Sequence, residues 1–269
     1  GQALTPSSFG STNATTGVWQ PARYAGTYGT NGFYLKFADT SAATAAAIGK
    51  DSSGNGNNWT PSGISVTAGV TYDAMLDVPT LTSATVANYC TWNPLNSFGS
   101  AATISNGNLN IVTPTANGGT TLGTIAVSSG KWYWEVIPSN QPTFIQIGIV
   151  STTIALAAYL ESMSTALYYI DGYKGTGPSG SITAYGPTIT NGDVLGVALD
   201  MDNGKIWWSK NGTWMASGDP AAGTNAAFTG ISGTYAPAIG DSANSITTTS
   251  SINFGQRPFA FHVQATKVP

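Results

Sequence analysis

Seven Asn-Gly dipeptides, at residues 31, 55, 106, 117, 191, 203 and 211, punctuate this 269-residue chain. Asn-Gly is the strongest short-range signal for a tight hairpin, because both central residues of a type I′ turn need positive φ. Between these turns lie short segments rich in Val, Ile, Thr, Tyr and Trp. They include "GNLNIV" (107–112), "GKWYWEV" (130–136), "FIQIGIV" (144–150), "DVLGVALDM" (193–201), "KIWWS" (205–209) and "SINF" (251–254). Their spacing predicts an all-β fold, an antiparallel sandwich or barrel. Only 40–49 and 153–163 suit short helices, and neither carries an apolar stripe of helical period.

The pair 193–201 and 205–209 assigns faces. Adjacent strand residues point to opposite sides, so Trp207 and Trp208 cannot share a core. A two-residue turn at Asp202-Asn203 or at Asn203-Gly204 leaves the parity unchanged. Leu195, Val197, Leu199 and Met201 then share a face with Ile206 and Trp208, which predicts the core side. Gly196, Ala198 and Asp200 share the other face with Trp207. A large ring over small residues needs a cover, which is either a ligand or another part of the chain; segment 32–86 is the expected one.

Composition excludes several classes of function. At 8% charged, with 9 Lys+Arg against 12 Asp+Glu and a net charge of −3, the chain has no electrostatic footprint for nucleic acid or for polybasic membrane binding. No apolar run approaches the ~18 residues of a membrane span, so membrane insertion is not expected, and no signal peptide is visible. The single cysteine, Cys90, rules out an intrachain disulfide and reads as a small buried residue. The polar surface must come from Ser, Thr, Asn, Gln and backbone, as is common in secreted proteins and virion fibres. The chain begins at Gly1, as a processed protein or a fragment would.

Four regions are expected. Residues 1–31, rich in Gly, Ser and Thr, read as an extended N-terminal arm. Residues 32–86 hold one strand-like run, "FYLKF", and the turn-rich "DSSGNGNNWTPSG", and read as an adaptor packing on the sandwich. Residues 87–259 carry the continuous strand pattern, and 260–269 form a tail.

Taken together, "GKWYWEV", "IQIGIV", "GDVLGVALDMDNGKIWWSKNGTW", "YAPAIG" and "INFGQRPF" resemble the SPRY domain in order and spacing. The resemblance covers about residues 87–259. It implies a concanavalin-like sandwich of two bent antiparallel sheets, a non-enzymatic binding role, ligands that meet loops at one end, and Glu135 as a structural residue. Residues 32–79 resemble a segment that precedes SPRY-like domains in bacteriophage tail-fibre and virion proteins. That second resemblance implies a virion-surface protein whose partners are a host-surface glycan or protein, other virion proteins and copies of itself. The alternatives are a capsid-decoration or fibre-shaft protein, a secreted or cell-surface location, and a glucanase-like enzyme.

The enzyme reading lacks its parts. Glycoside hydrolysis generally uses two facing carboxylates, whereas the only glutamates are Glu135 and Glu161 and no E-x-D-x-E strand occurs. His262 is the only histidine, and no G-x-S-x-G elbow accompanies it. "DSSGNG" (51–56) matches the first half of a calcium loop, which makes Asp51, Ser53 and Asn55 candidate Ca²⁺ ligands. However, Ser62 stands where a bidentate Glu belongs. Asp200 and Asp202 read as turn-capping residues. The ligand-binding candidates are the loop aromatics Tyr159, Tyr173, Tyr185 and Trp214, because sugar C–H faces pack on rings while hydroxyls find polar partners. They fall in or beside the expected recognition loops 151–167, 172–187 and 210–230.

Overall fold

The computed structural model describes residues 3–67, 71–75, 87–99, 102–113, 119–140, 145–154, 159–163, 165–177, 181–241 and 247–261. The chain divides into two compact units, Gly1–Val66 and Thr67–Pro269. This division differs from the one expected from composition. Residues 1–31 and 32–66 fold together, because side-chain amides of the 51–58 turn hold the backbone of 29–32: Asn55 Nδ2 donates to Gly29 O and Gly32 O, and Asn57 Nδ2 to Thr30 O. The expected arm is also not wholly extended. It contains a small hairpin of β1 (Gly10–Thr12) and β2 (Trp19–Pro21), with Gly10 opposite Pro21.

The second unit is a sandwich. Its first strands are β3 (Trp92–Gly99), β4 (Thr103–Ser105), β5 (Asn110–Val112), β6 (Gly119–Gly123), β7 (Lys131–Asn140), β8 (Ile145–Ser151) and β9 (Thr165–Tyr169). There follow β10 (Tyr173–Gly175), β11 (Thr183–Ala184), β12 (Leu195–Asp200), β13 (Lys205–Lys210), β14 (Thr213–Trp214), β15 (Tyr235–Asp241) and β16 (Thr249–Asn253). One sheet has the order β11-β10-β9-β8-β15-β6-β3 and the other β14-β13-β12-β7-β16-β5-β4, and every recorded pairing is antiparallel. The fold is the all-β sandwich expected, and no α-helix occurs among the described residues.

Alternation builds three apolar layers. Inward residues of both sheets form the main core, which includes Trp134, Ile147, Leu195, Val197, Leu199, Met201, Ile206 and Trp208. Every residue assigned to the core face of 195–208 is there. Trp132 is partly buried against this core, and its indole N–H donates to Ser129 O at 2.7 Å. The outer face of the first sheet carries a smaller cluster, in which Leu122, Val150, Leu167 and Ala238 meet Leu160 and Met163 from the 3-10 turn Leu160–Ser162 and its flank. The outer face of the second sheet carries another, of Tyr133, Ala198 and Trp207.

Turn chemistry sets the register only in part. Asn211-Gly212, with φ of 48° and 78°, links Lys210 to its partner Thr213 as a two-residue hairpin turn. At Asp202-Asn203 the pairing ends one step earlier, at Asp200 opposite Lys205, so residues 201–204 make a four-residue link of the same parity. Asp200 closes that link: Oδ1 accepts the N–H groups of Asp202 and Asn203, and Oδ2 pairs with Lys131 Nζ at 3.0 Å. Asp202 accepts the Gly130 N–H. Asp200 is thus the turn cap expected, whereas Asp202 ties the turn to Gly130, ahead of β7.

Candidate functional site

Trp207 is 1% exposed, so something covers it. The cover is the chain itself, and the loop that contains Gly218 and Thr224 supplies part of it. Trp214, Ala226 and Phe259 pack against the cluster that the ring forms with Tyr133 and Ala198, its Nε1 donates to Thr224 O at 2.8 Å, and a Cβ at Gly218 would lie 2.8 Å from its Cδ1. The depression expected over Gly196 is filled as well, because a Cβ there would lie 2.4 Å from Ser209 Oγ and 2.7 Å from the Tyr133 hydroxyl. No ligand surface remains on this face of the ring. Trp207→Phe removes the bond that anchors the 218–227 loop, and is expected to cost about 1 kcal/mol in urea unfolding while binding per folded molecule stays unchanged.

The four candidate aromatics do not converge. Tyr185 is partly buried against the main core, edge-on to Tyr168 and Trp208 at 6.3 Å each, and burial pushes its hydroxyl pKa up to about 12. Trp214 sits on the opposite side of the second sheet, edge-on to Tyr133 at 6.4 Å. These two rings are packing residues, which corrects their assignment as a binding platform. The physical reason is that the ends of this sandwich are closed by rings from its own loops. Tyr159, at the start of the 3-10 turn, and Tyr173, the first residue of β10, stay open at 36% and 43% exposure.

One residue missed by sequence reasoning organises these loops. Lys174 Nζ lies 4.8 Å from the Tyr185 ring and 5.0 Å from the Phe228 ring, and donates to Ala227 O at 2.6 Å. It thereby ties β10 to the 210–230 loop through cation–π contacts and a carbonyl. Burial lowers its pKa. Nothing local in "GYKGTG" marks this lysine, because its partners lie far along the chain.

The carboxylates are occupied by structure. Glu135 is buried and accepts bonds from the Tyr133 hydroxyl, the Ala260 N–H and the Phe261 N–H. In the first unit, Asp51 Oδ1 accepts the N–H groups of Tyr34 and Ser53, and Oδ2 accepts from Ser53 Oγ and the Asn57 N–H. Burial works to raise its pKa, but these donors together hold it well below the ordinary value. The Ca²⁺ reading of Asp51, Ser53 and Asn55 is therefore corrected to a self-bonded turn: N–H and O–H donors already surround the oxygens a cation would use. Among the described residues no group of three or more His, Cys, Asp or Glu side chains could hold a metal. Cys90 is buried as expected, and His262 lies outside the described residues.

Residues 131–257 match the family model of the SPRY domain. This segment is a SPRY domain. The structure extends the sandwich beyond it, because β3 to β6 (residues 92–123) pair into the same two sheets. The sequence is 26% identical to Ran-binding protein 10 of Danio rerio over 147 residues, 52% of this chain and 22% of that protein. It is 30% identical to protein ssh4 of Neosartorya fischeri over 133 residues, 48% of this chain and 24% of that protein. The chain thus spans less than a quarter of the length of these relatives. Among solved structures, the SPRY domain of human HERC1 superposes with a TM-score of 0.49 at 17% identity, over 60% of this chain and 96% of that one. The stonustoxin structure gives 0.45 at 19% identity, over 61% and 27%. SPRY domains are generally binding modules that mediate protein–protein interactions. No described helix is long and apolar enough to cross a membrane.

Proposed function

We propose that this chain is a non-enzymatic recognition module of a virion appendage, of the tail-fibre or receptor-binding kind, and that its SPRY sandwich binds a host-surface glycan or protein. The observation that carries this reading is the contrast among the loop rings. Tyr185 and Trp214 pack inward, whereas Tyr159 and Tyr173 stay open to solvent. Exposed tyrosines offer a rigid apolar face with a polar tip, which suits a glycan or a protein epitope. The virion setting is supported by the sparse charge of the chain and by the resemblance of residues 32–79 to segments of phage fibre proteins.

The test is retention of the fluorescently labelled chain on bacterial cells and on a glycan array, comparing the wild type with a Tyr159→Ala/Tyr173→Ala double variant. At least tenfold weaker retention with an unchanged melting temperature is expected. Equal retention removes these loops from the site. Turnover of a bacterial polysaccharide by the wild type would favour the glucanase alternative instead. A second reading, capsid decoration or a fibre shaft, has its own observation: Phe33 and Trp59 meet at a tilt with ring centres 4.6 Å apart and are exposed, as is Phe37, in the manner of a protein contact surface.

A further inference from the structure

The aromatic residues at the start of the first unit stand in a row along an open cleft. Phe9, Tyr24, Tyr28 and Tyr34 follow one another at centroid steps of 5.7, 5.3 and 6.2 Å. With Leu4 and Arg23 they line a cleft of about 750 Å³. Several of the same residues border an adjoining hollow whose far wall is Thr30, Ser53 and Asn55, so one side of the row is apolar and the other offers hydroxyls, an amide and backbone.

The row is held in place by local bonds. The Tyr28 hydroxyl donates to Tyr24 O at 3.2 Å, and the Tyr34 N–H is fixed by the Asp51 carboxylate. The Asn55 and Asn57 amides pin the carbonyls of residues 29 to 32 between the rings. Gly32 is required there, since a Cβ would lie 1.8 Å from Tyr28 O. The "DSSGNGNN" turn that resembled half a calcium loop therefore serves to lock an aromatic row. A preformed row loses little freedom on binding.

Charge narrows the choice of ligand. The basic residues of the unit are Arg23, Lys36 and Lys50, and its acidic ones are Asp39 and Asp51. The Arg23 guanidinium lies 4.8 Å from the Tyr34 ring centre, and the Lys36 ammonium lies 5.9 Å from the same ring. Asp51 is surrounded by its own donors, and Asp39 is bonded to Ser41. Among the described residues neither Arg23 nor Lys36 forms an ion pair. A cleft lined by Tyr24, Tyr28 and Tyr34, with the Arg23 guanidinium over the last ring, is complementary to a ligand with apolar faces, many hydroxyls and negative charge.

We propose that this cleft binds an acidic oligosaccharide, with sugar rings packed against Tyr24 and Tyr28 and a sugar carboxylate held by Arg23, which lies over Tyr34. This binding does not depend on the Tyr159 and Tyr173 loops. The test uses the full chain and titrates hexagalacturonate, with its uncharged carboxyl-reduced counterpart as the control probe, by calorimetry. The wild type is expected to bind the acidic hexamer at least tenfold more tightly than the neutral one, and to lose that preference in 0.5 M salt. Arg23→Gln, an exposed position, abolishes the preference without changing the melting temperature. Tyr24→Ala weakens binding of both probes, and the Tyr159→Ala/Tyr173→Ala variant binds as the wild type does. Three results overturn the proposal: no binding of either hexamer, equal binding by Arg23→Gln and wild type, or a cleft occupied by a second copy. The last would show as self-association that Tyr24→Ala abolishes while no saccharide binds.

Discussion

Trp208→Ala is expected to lower folding stability by ~3–5 kcal/mol, the range for truncating a large aromatic in a closed core. That is a large share of the 5–15 kcal/mol typical of a domain. The ring is fully buried, opposite Val197 in the ladder. It stacks on Tyr168 at 6.0 Å and meets Tyr185 and Phe228 edge-on. Both sheets contribute to this cluster, so the cavity left by alanine lies between the layers, where neither can collapse without moving the other. Among the described residues its indole N–H has no hydrogen-bond partner. Trp208→Phe should therefore cost much less than the alanine change: it gives up volume but also removes a buried unpaired donor. Urea unfolding of the three proteins checks both statements. A loss below 1 kcal/mol for alanine would mean that the sheets do not close over this ring.

The adjacent tryptophans show what a sequence exposes and what it hides. Strand alternation has a period of two and a single parity, so placing Leu199 inward places Trp208 inward and Trp207 outward. The structure follows that parity from Leu195 to Trp208. The cover over Trp207 was not legible in the same way. Thr224 is 17 residues away, and its bond to the indole leaves no periodic trace. The same holds for the boundary at Val66, which depends on amide-to-carbonyl bonds spanning 23 to 27 residues. Asp51, Ser53 and Asn55 misled for a different reason. Oxygen-bearing residues at alternate positions suit a cation loop and a self-bonded turn equally, and only the position of the N–H groups separates the two. Tyr185 and Trp214 looked like free loop rings because burial at the end of a sandwich is decided by loops packing on each other.

Removing Glu135 should be the second large effect, on the order of 3 kcal/mol for Glu135→Ala. The carboxylate is 1% exposed and receives three donors: Tyr133 Oη at 3.0 Å, Ala260 N at 2.8 Å and Phe261 N at 3.0 Å. Alanine leaves these donors without their acceptor, at roughly 1–3 kcal/mol for each one that stays buried. It also frees residues 259–261, so Phe259 loses its edge-on contact with Tyr133 at 4.8 Å. Hydrogen exchange at Ala260 and Phe261 should rise along with the loss of stability. The charge adds a pH signature. Burial raises the pKa of Glu135 above its ordinary 4.5, and the two backbone N–H groups, the Tyr133 hydroxyl and the Arg257 charge offset only part of that. The folded state therefore holds the proton more firmly than the unfolded chain does. Stability from this group falls as pH rises from 4.5 through the raised folded value, and is constant above it. Glu135→Gln has no such proton, so the wild type should gain stability relative to this variant as pH is lowered from 7 towards 4.5. If the stability difference between the two proteins stays flat over that range, burial does not raise the pKa of this carboxyl, and its role is limited to accepting the three bonds that hold residues 259–261 to the sheet.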